Sequence, residues 1–150
     1  KGCKRIAFIG GTKRLFVTQD RLTGYESALK QHQLPIDTNL TYFAAEFLEE
    51  KGYQFSELLL NHDPQVDAII TTDSLLAEGV CDYISKHQLT VPVLSFDSVN
   101  PRLDLVAYVD INSLELGRVS FETILQIIND AKNNKQICYR QLIGHKIIEK

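Results

Sequence analysis

With 150 residues, the chain has room for one domain with a sizeable core and too few residues for two ordinary ones. Its composition, 44% hydrophobic and 23% charged, is that of a globular protein, and no apolar run approaches the length of a membrane span. A net charge of −3 offers no basic surface to nucleic-acid phosphates.

The predicted elements alternate along the chain. Arg5 to Gly10 (RIAFIG) reads as a strand running into Gly10-Gly11. Asp20 to His32 carries Leu22, Tyr25, Ala28 and Leu29 at the spacing of one helical face. Leu40 to Ala44 is a second strand, and Glu49 to Asn61 a helix that Pro64 ends. Val66 to Thr71 is a third strand, followed by a helix over Ser74 to His87 that Ser74 is placed to cap. Val91 to Phe96 is short and almost wholly apolar, as in strands buried on both faces of a parallel sheet, and it stops at Asp97. Leu105 to Val109 is a fifth strand. Ser113 to Asn133 is a long helix whose apolar positions cover more than a narrow stripe, and Ile137 to Ile148 reads as strand at a hairpin edge. Strands separated by single helices predict an α/β fold: a doubly wound, mainly parallel sheet with helices on both faces, a Rossmann-like three-layer sandwich.

Cys3, Cys81 and Cys138 are far apart, with no CxxC and no histidine at metal spacing. Reduced structural thiols and no metal site are expected. The start KGCKRIAF has neither an initiator Met nor an apolar signal segment, as expected for a piece of a longer cytoplasmic protein.

Open α/β sheets bind ligands outside the carboxyl ends of their strands, so the residues just past each strand form the candidate set. Gly10-Gly11-Thr12 matches neither GxGxxG nor a Walker loop, and no cofactor is expected. Arg21, expected to open the first helix, either reaches over the sheet edge with its planar fork or pairs with Asp20 in solvent. Asp73 is either a ligand group or a helix cap. Asp97 is either a ligand group or a turn former. One cation and two carboxylates from three strand ends suit hydrogen bonding to a polyhydroxylated small molecule. No nucleophile with a base and no catalytic acid pair accompanies them, so a binding domain is expected rather than an enzyme.

Five segments, GCKRIAFIGG, DRLTGYESAL, VDAIITTDSLLAEGV, VPVLSFD and VAYVDINSLELG, resemble in order and spacing the effector-binding core of the lactose-repressor/galactose-repressor (LacI/GalR) family. The resemblance covers essentially the whole chain. It implies two periplasmic-binding-protein-like subdomains with a sugar between them. This chain would be the C-terminal subdomain (about 1–108 and 136–150), with a crossing helix (about 112–133) that belongs partly to a missing N-terminal subdomain. That helix should then show an incompletely covered apolar face. A helix-turn-helix DNA-binding domain would lie upstream.

By the same resemblance, Arg21 hydrogen-bonds sugar hydroxyls in an R-x-x-G-[FYW] context, and Asp97 ends a G-[FY]-D sugar-binding motif with Ser95 in place of the glycine. Asp73 and Ser74 stand where the family carries an Asn-Asp pair, which exchanges an amide for an acceptor-only carboxylate. Phe47 matches an aromatic position that stacks on the sugar ring, with core packing as the competing reading. A homodimer is implied through the Ser74–His87 helix, using Leu75, Leu76, Val80, Tyr83 and Ile84. The Ser98–Leu103 loop would add Val99 and Pro101. The implied function is sensing of a sugar or sugar phosphate in a cytoplasmic transcriptional regulator, with operator DNA bound only through the missing domain and no membrane contact. A periplasmic-type sugar-binding protein of a transport system is the alternative, and a small sugar-modifying α/β enzyme a third class.

Overall fold

The computed structural model describes residues 2–97, 100–135 and 137–150. In chain order they form β1 (Ile6–Gly10), α1 (Phe16–Gln31), a short 3₁₀ turn (Thr38–Leu40), β2 (Thr41–Phe43), α2 (Glu49–His62) and β3 (Ala68–Thr71). Then follow α3 (Ser74–Lys86), β4 (Val93–Phe96), β5 (Ala107–Asp110), α4 (Ser113–Lys132) and β6 (Lys146–Glu149). The strands make one sheet in the order β2-β1-β3-β4-β5-β6. The first five are parallel, with Ala7 opposite Ile69 and Ile70 opposite Leu94, and β6 closes the edge antiparallel to β5. This is the expected doubly wound sheet.

Strand alternation sorts the core into two layers. Ala7, Ile9, Ile69 and Val93 point to one face, where α2 and α3 bring Leu59, Leu76, Ala77, Val80 and Tyr83. Phe8 points to the other, where α1 brings Tyr25 and Leu29. Full burial of a side chain such as Leu76 or Ile69, each 0% exposed, contributes about 1.5–3 kcal/mol. The α2–α3 pair is drawn together by glycines: a methyl group at Gly52 would overlap the Leu76 carbonyl, and one at Gly79 the Glu49 carbonyl.

Both α1 and α3 end in the same tripeptide, His-Gln-Leu. His32 and His87 are the C-caps, and Gln33 (φ 57°) and Gln88 (φ 53°) take the left-handed conformation. Leu34 N donates to Leu29 O, and Leu89 N to Ile84 O, the long back-bond that closes a helix end. At the opposite rim of the sheet from the strand ends, Arg5 bonds Asp63 (2.6 Å) and Asp37 (3.0 Å), tying the start of β1 to the end of α2.

Two expectations change, and the incompletely covered face of the long helix is found. The first helix begins at Phe16, not Asp20: Thr18 N and Gln19 N donate to Leu15 O, adding a turn whose exposed apolar residues broke the expected amphipathic pattern. Arg21 therefore lies one turn inside the helix. The tail is strand only over Lys146–Glu149; before that it lies along α4, with the Tyr139 hydroxyl on Asp130 and Thr123 Oγ1 on Gln141 Oε1 (3.2 Å). Asp130 is the single buried residue of α4, while Leu114, Phe121, Ile124, Leu125 and Ile128 are 46–88% exposed.

Candidate functional site

Strand order reverses between β1 and β3, since β1 is followed by β2 on one side and β3 on the other. At such a switch point the two connecting loops part and leave a crevice at the carboxyl ends of the strands. Four elements meet there. Gly11 ends β1, Thr72 and Asp73 end β3, Phe96 and Asp97 end β4, and α1 extends Arg21 across the gap.

Arg21 Nη1 donates to the Thr72 carbonyl oxygen at 2.5 Å, and its guanidinium lies 4.9 Å from the centre of the Phe96 ring. Burial holds its pKa below the usual arginine value, opposed by the negative charges of Asp73 and Asp97. The three charged residues picked from three strand ends are thus brought to one rim. The solvated Arg21–Asp20 pair is not what forms.

Asp73 caps α3: its Oδ1 accepts from Leu76 N at 3.0 Å. Ser74 is the first helical residue and not the cap, because Asp73 is in extended backbone (φ −159°) while Ser74 is already helical. Asp73 Oδ2 accepts from Thr72 Oγ1 at 3.0 Å. Burial pushes its pKa upward, against the pull of these hydrogen bonds and of Arg21. Asp97 stands in the left-handed region (φ 72°), a conformation that Asp tolerates better than most residues, and its N–H donates to Val109 O at 3.0 Å. That bond anchors its backbone to β5 and turns the side chain out of the strand path.

Phe47 shows the core packing of its competing reading. It packs against the main core, half-buried, with its ring over Gly11, where any side chain would collide with it. An aromatic face therefore sits at the end of β1, beside the crevice. Sequence reasoning missed Thr72, 0% exposed and central to the rim, and the exposed apolar start of α1 (Leu15, Phe16, Val17). The run Ile-Ile-Thr-Thr-Asp held the signal for Thr72: a polar side chain where an apolar strand reaches its ligand edge.

The proposed dimer residues divide. Leu76 (0% exposed), Val80 (0%) and Tyr83 (3%) are consumed by the core against α2 and the sheet and leave the expected interface. A 3.6-residue period shows that a face is apolar, not which partner covers it. Leu75 is 45% exposed, Ile84 half-buried and Pro101 exposed, while Val99 lies outside the described residues. A cavity of about 380 Å³ beyond α3 is lined by Cys81, Ile84, Leu89, Val91 and Val106, away from the rim. Burial pushes the Cys81 thiol to about 11, so it stays protonated at neutral pH.

Residues 1–144 match the periplasmic binding protein-like domain. The chain belongs to this family. Over all 150 residues it is 81% identical to the HTH-type transcriptional regulator MalR of Streptococcus pneumoniae, and it spans 46% of that relative. It is 25% identical to the ribose operon repressor of Haemophilus influenzae over 95% of the chain and 43% of that protein. The chain thus spans about half the length of the curated relatives it matches. Among solved structures, a LacI transcriptional regulator from Bacillus cereus superposes with a TM-score of 0.86 at 30% identity, over 99% of this chain and 54% of that one. The CelR–cellobiose complex superposes with a TM-score of 0.82 at 20% identity over 98% of this chain and 46% of the other, and shows the fold alone. Within the family the chain corresponds to the effector-binding part of LacI-type transcriptional regulators, and these relatives favour the regulator over the transport-protein alternative. No helix among the described residues is long and apolar enough to cross a membrane.

Proposed function

We propose that this chain is one wall of the sugar-sensing cleft of a cytoplasmic LacI-type repressor. The convergence of Arg21, Asp73 and Asp97 at the β1–β3 switch point carries the reading. Arg21 keeps donors free beyond its bond to Thr72, Asp97 offers a carboxylate directed from the strand end, and Phe47 offers a ring face; together they suit a polyhydroxylated ring. Asp73, with each oxygen already accepting one bond, contributes only its remaining lone pairs. The arrangement binds and does not catalyse.

In the longer protein, residues 1–108 and 136–150 form the C-terminal subdomain, and α4 crosses to pack its apolar face on the N-terminal one. A ligand bridging both subdomains favours one hinge angle and so shifts the population that binds operator DNA through an upstream helix-turn-helix domain. The regulator works as a homodimer, with Leu75, Ile84 and Pro101 at the interface. Calorimetry on the longer protein with neutral mono- and disaccharides and their phosphates is expected to find a binder whose affinity is lost in both Arg21→Ala and Asp97→Ala. Retained affinity in both variants would place the site elsewhere.

A further inference from the structure

Thr72 makes four hydrogen bonds, each to a different part of the rim. Its N–H donates to Ile9 O (3.0 Å), and its carbonyl accepts from Arg21 Nη1 (2.5 Å). Its hydroxyl accepts from Gly11 N (3.0 Å) and donates to Asp73 Oδ2 (3.0 Å). The residue is fully buried, so water does not stand in for any of these partners. The hydroxyl bonds differ from the other two in being side-chain chemistry. One closes β1 against β3 across the switch point; the other fixes the rotation of the Asp73 carboxylate, whose second oxygen caps α3.

We propose that Thr72 is the positioning residue of the effector site. Through its hydroxyl it fixes the carboxylate of Asp73 and the Gly11 backbone beneath Phe47, and through its carbonyl it fixes the guanidinium of Arg21. It does not touch the ligand; it sets the spacing of the groups that do. A hydroxyl is required because one atom must accept from an amide and donate to a carboxylate at once, which neither Val nor Ala can do. This rests on the reading of the rim as a sugar site.

The test uses the full-length regulator with Thr72→Val, which keeps the shape and removes the hydroxyl, and Thr72→Ser, which keeps the hydroxyl. Thr72→Ala removes the same hydroxyl with less bulk if Val perturbs folding. Two readouts are taken: the ¹³C-carboxyl titration of Asp73 in ligand-free protein, assigned with Asp73→Asn, and calorimetric titration with ribose, glucose, galactose, maltose, cellobiose and lactose. Loss of a donor to the ionised carboxylate is expected to move the Asp73 midpoint upward in Thr72→Val and to weaken the tightest panel member about tenfold. Thr72→Ser is expected to stay near wild type in both. An unmoved Asp73 midpoint, or equal loss of affinity in Val and Ser, overturns the proposal and leaves the sugar reading in place. A moved midpoint in a protein that binds neither a panel member nor its phosphate overturns the sugar reading, and with it the assignment of Thr72 to an effector site.

Discussion

Asp73 and Asp97 both end strands, yet the fold uses them differently. Asp73 has both oxygens engaged by its own chain, at Leu76 N and Thr72 Oγ1, whereas the Asp97 backbone is twisted out of β4 and anchored through Val109. Both identities were legible from their place after apolar strands; this division of roles was not, because a cap and a ligand group look alike in sequence. A third residue shows how a single buried group imposes a pH limit. The Tyr25 hydroxyl donates to Ile6 O at 2.7 Å, and burial pushes its pKa from 10.0 to about 12. The unfolded chain releases this proton first, so its contribution to stability is complete below pH 10 and is lost as pH rises toward 12. Urea melts of Tyr25→Phe are expected to show a loss of about 1 kcal/mol at neutral pH, from the orphaned Ile6 carbonyl, and a shallower alkaline decline than wild type.

At the scale of elements, the α2–α3 crossing depends on two glycines that no periodicity distinguishes. Gly52 and Gly79 each face the backbone of the other helix, and backbone cannot give way as a side chain can. Gly79→Ala is expected to cost about 1–3 kcal/mol in a denaturant melt. Gly24 lies on exposed α1 with open space where a methyl would sit, and Gly24→Ala is expected to add about 0.5–1 kcal/mol by helix propensity alone. Equal effects at the two positions would contradict this account of the crossing. The same close approach explains why Leu76, Val80 and Tyr83 are core residues: α2 lies so near α3 that their face has no room for a second molecule.

For the whole molecule, the main asymmetry is α4. Its apolar residues follow a helical period like those of α3, but only Asp130 of the helix is buried, where Tyr139 of the tail meets it. On the two-subdomain proposal this face belongs against the rest of the longer protein. The 150-residue chain by itself is therefore expected to bind a fluorescent apolar dye and to self-associate, and Ile124→Gln with Ile128→Gln to reduce both. In the full-length protein the same pair should lower the melting temperature. Loss of dye binding without any full-length effect would leave the face uncovered in both forms.

Local periodicity by itself determined the succession of strands and helices, and with it the parallel sheet and the rim where Arg21, Asp73 and Asp97 were sought, because side-chain spacing reports which face of an element turns from water. Only the tertiary structure decided what covers each face. It placed α3 against α2 and left α4 open, gave the cap to Asp73 instead of Ser74, and put buried Thr72 between Gly11, Arg21 and Asp73. The bonds that hold Thr72 to Gly11 and Arg21 join residues 61 and 51 positions apart, and the α2–α3 approach sets Gly52 against Leu76; no local pattern encodes those distances.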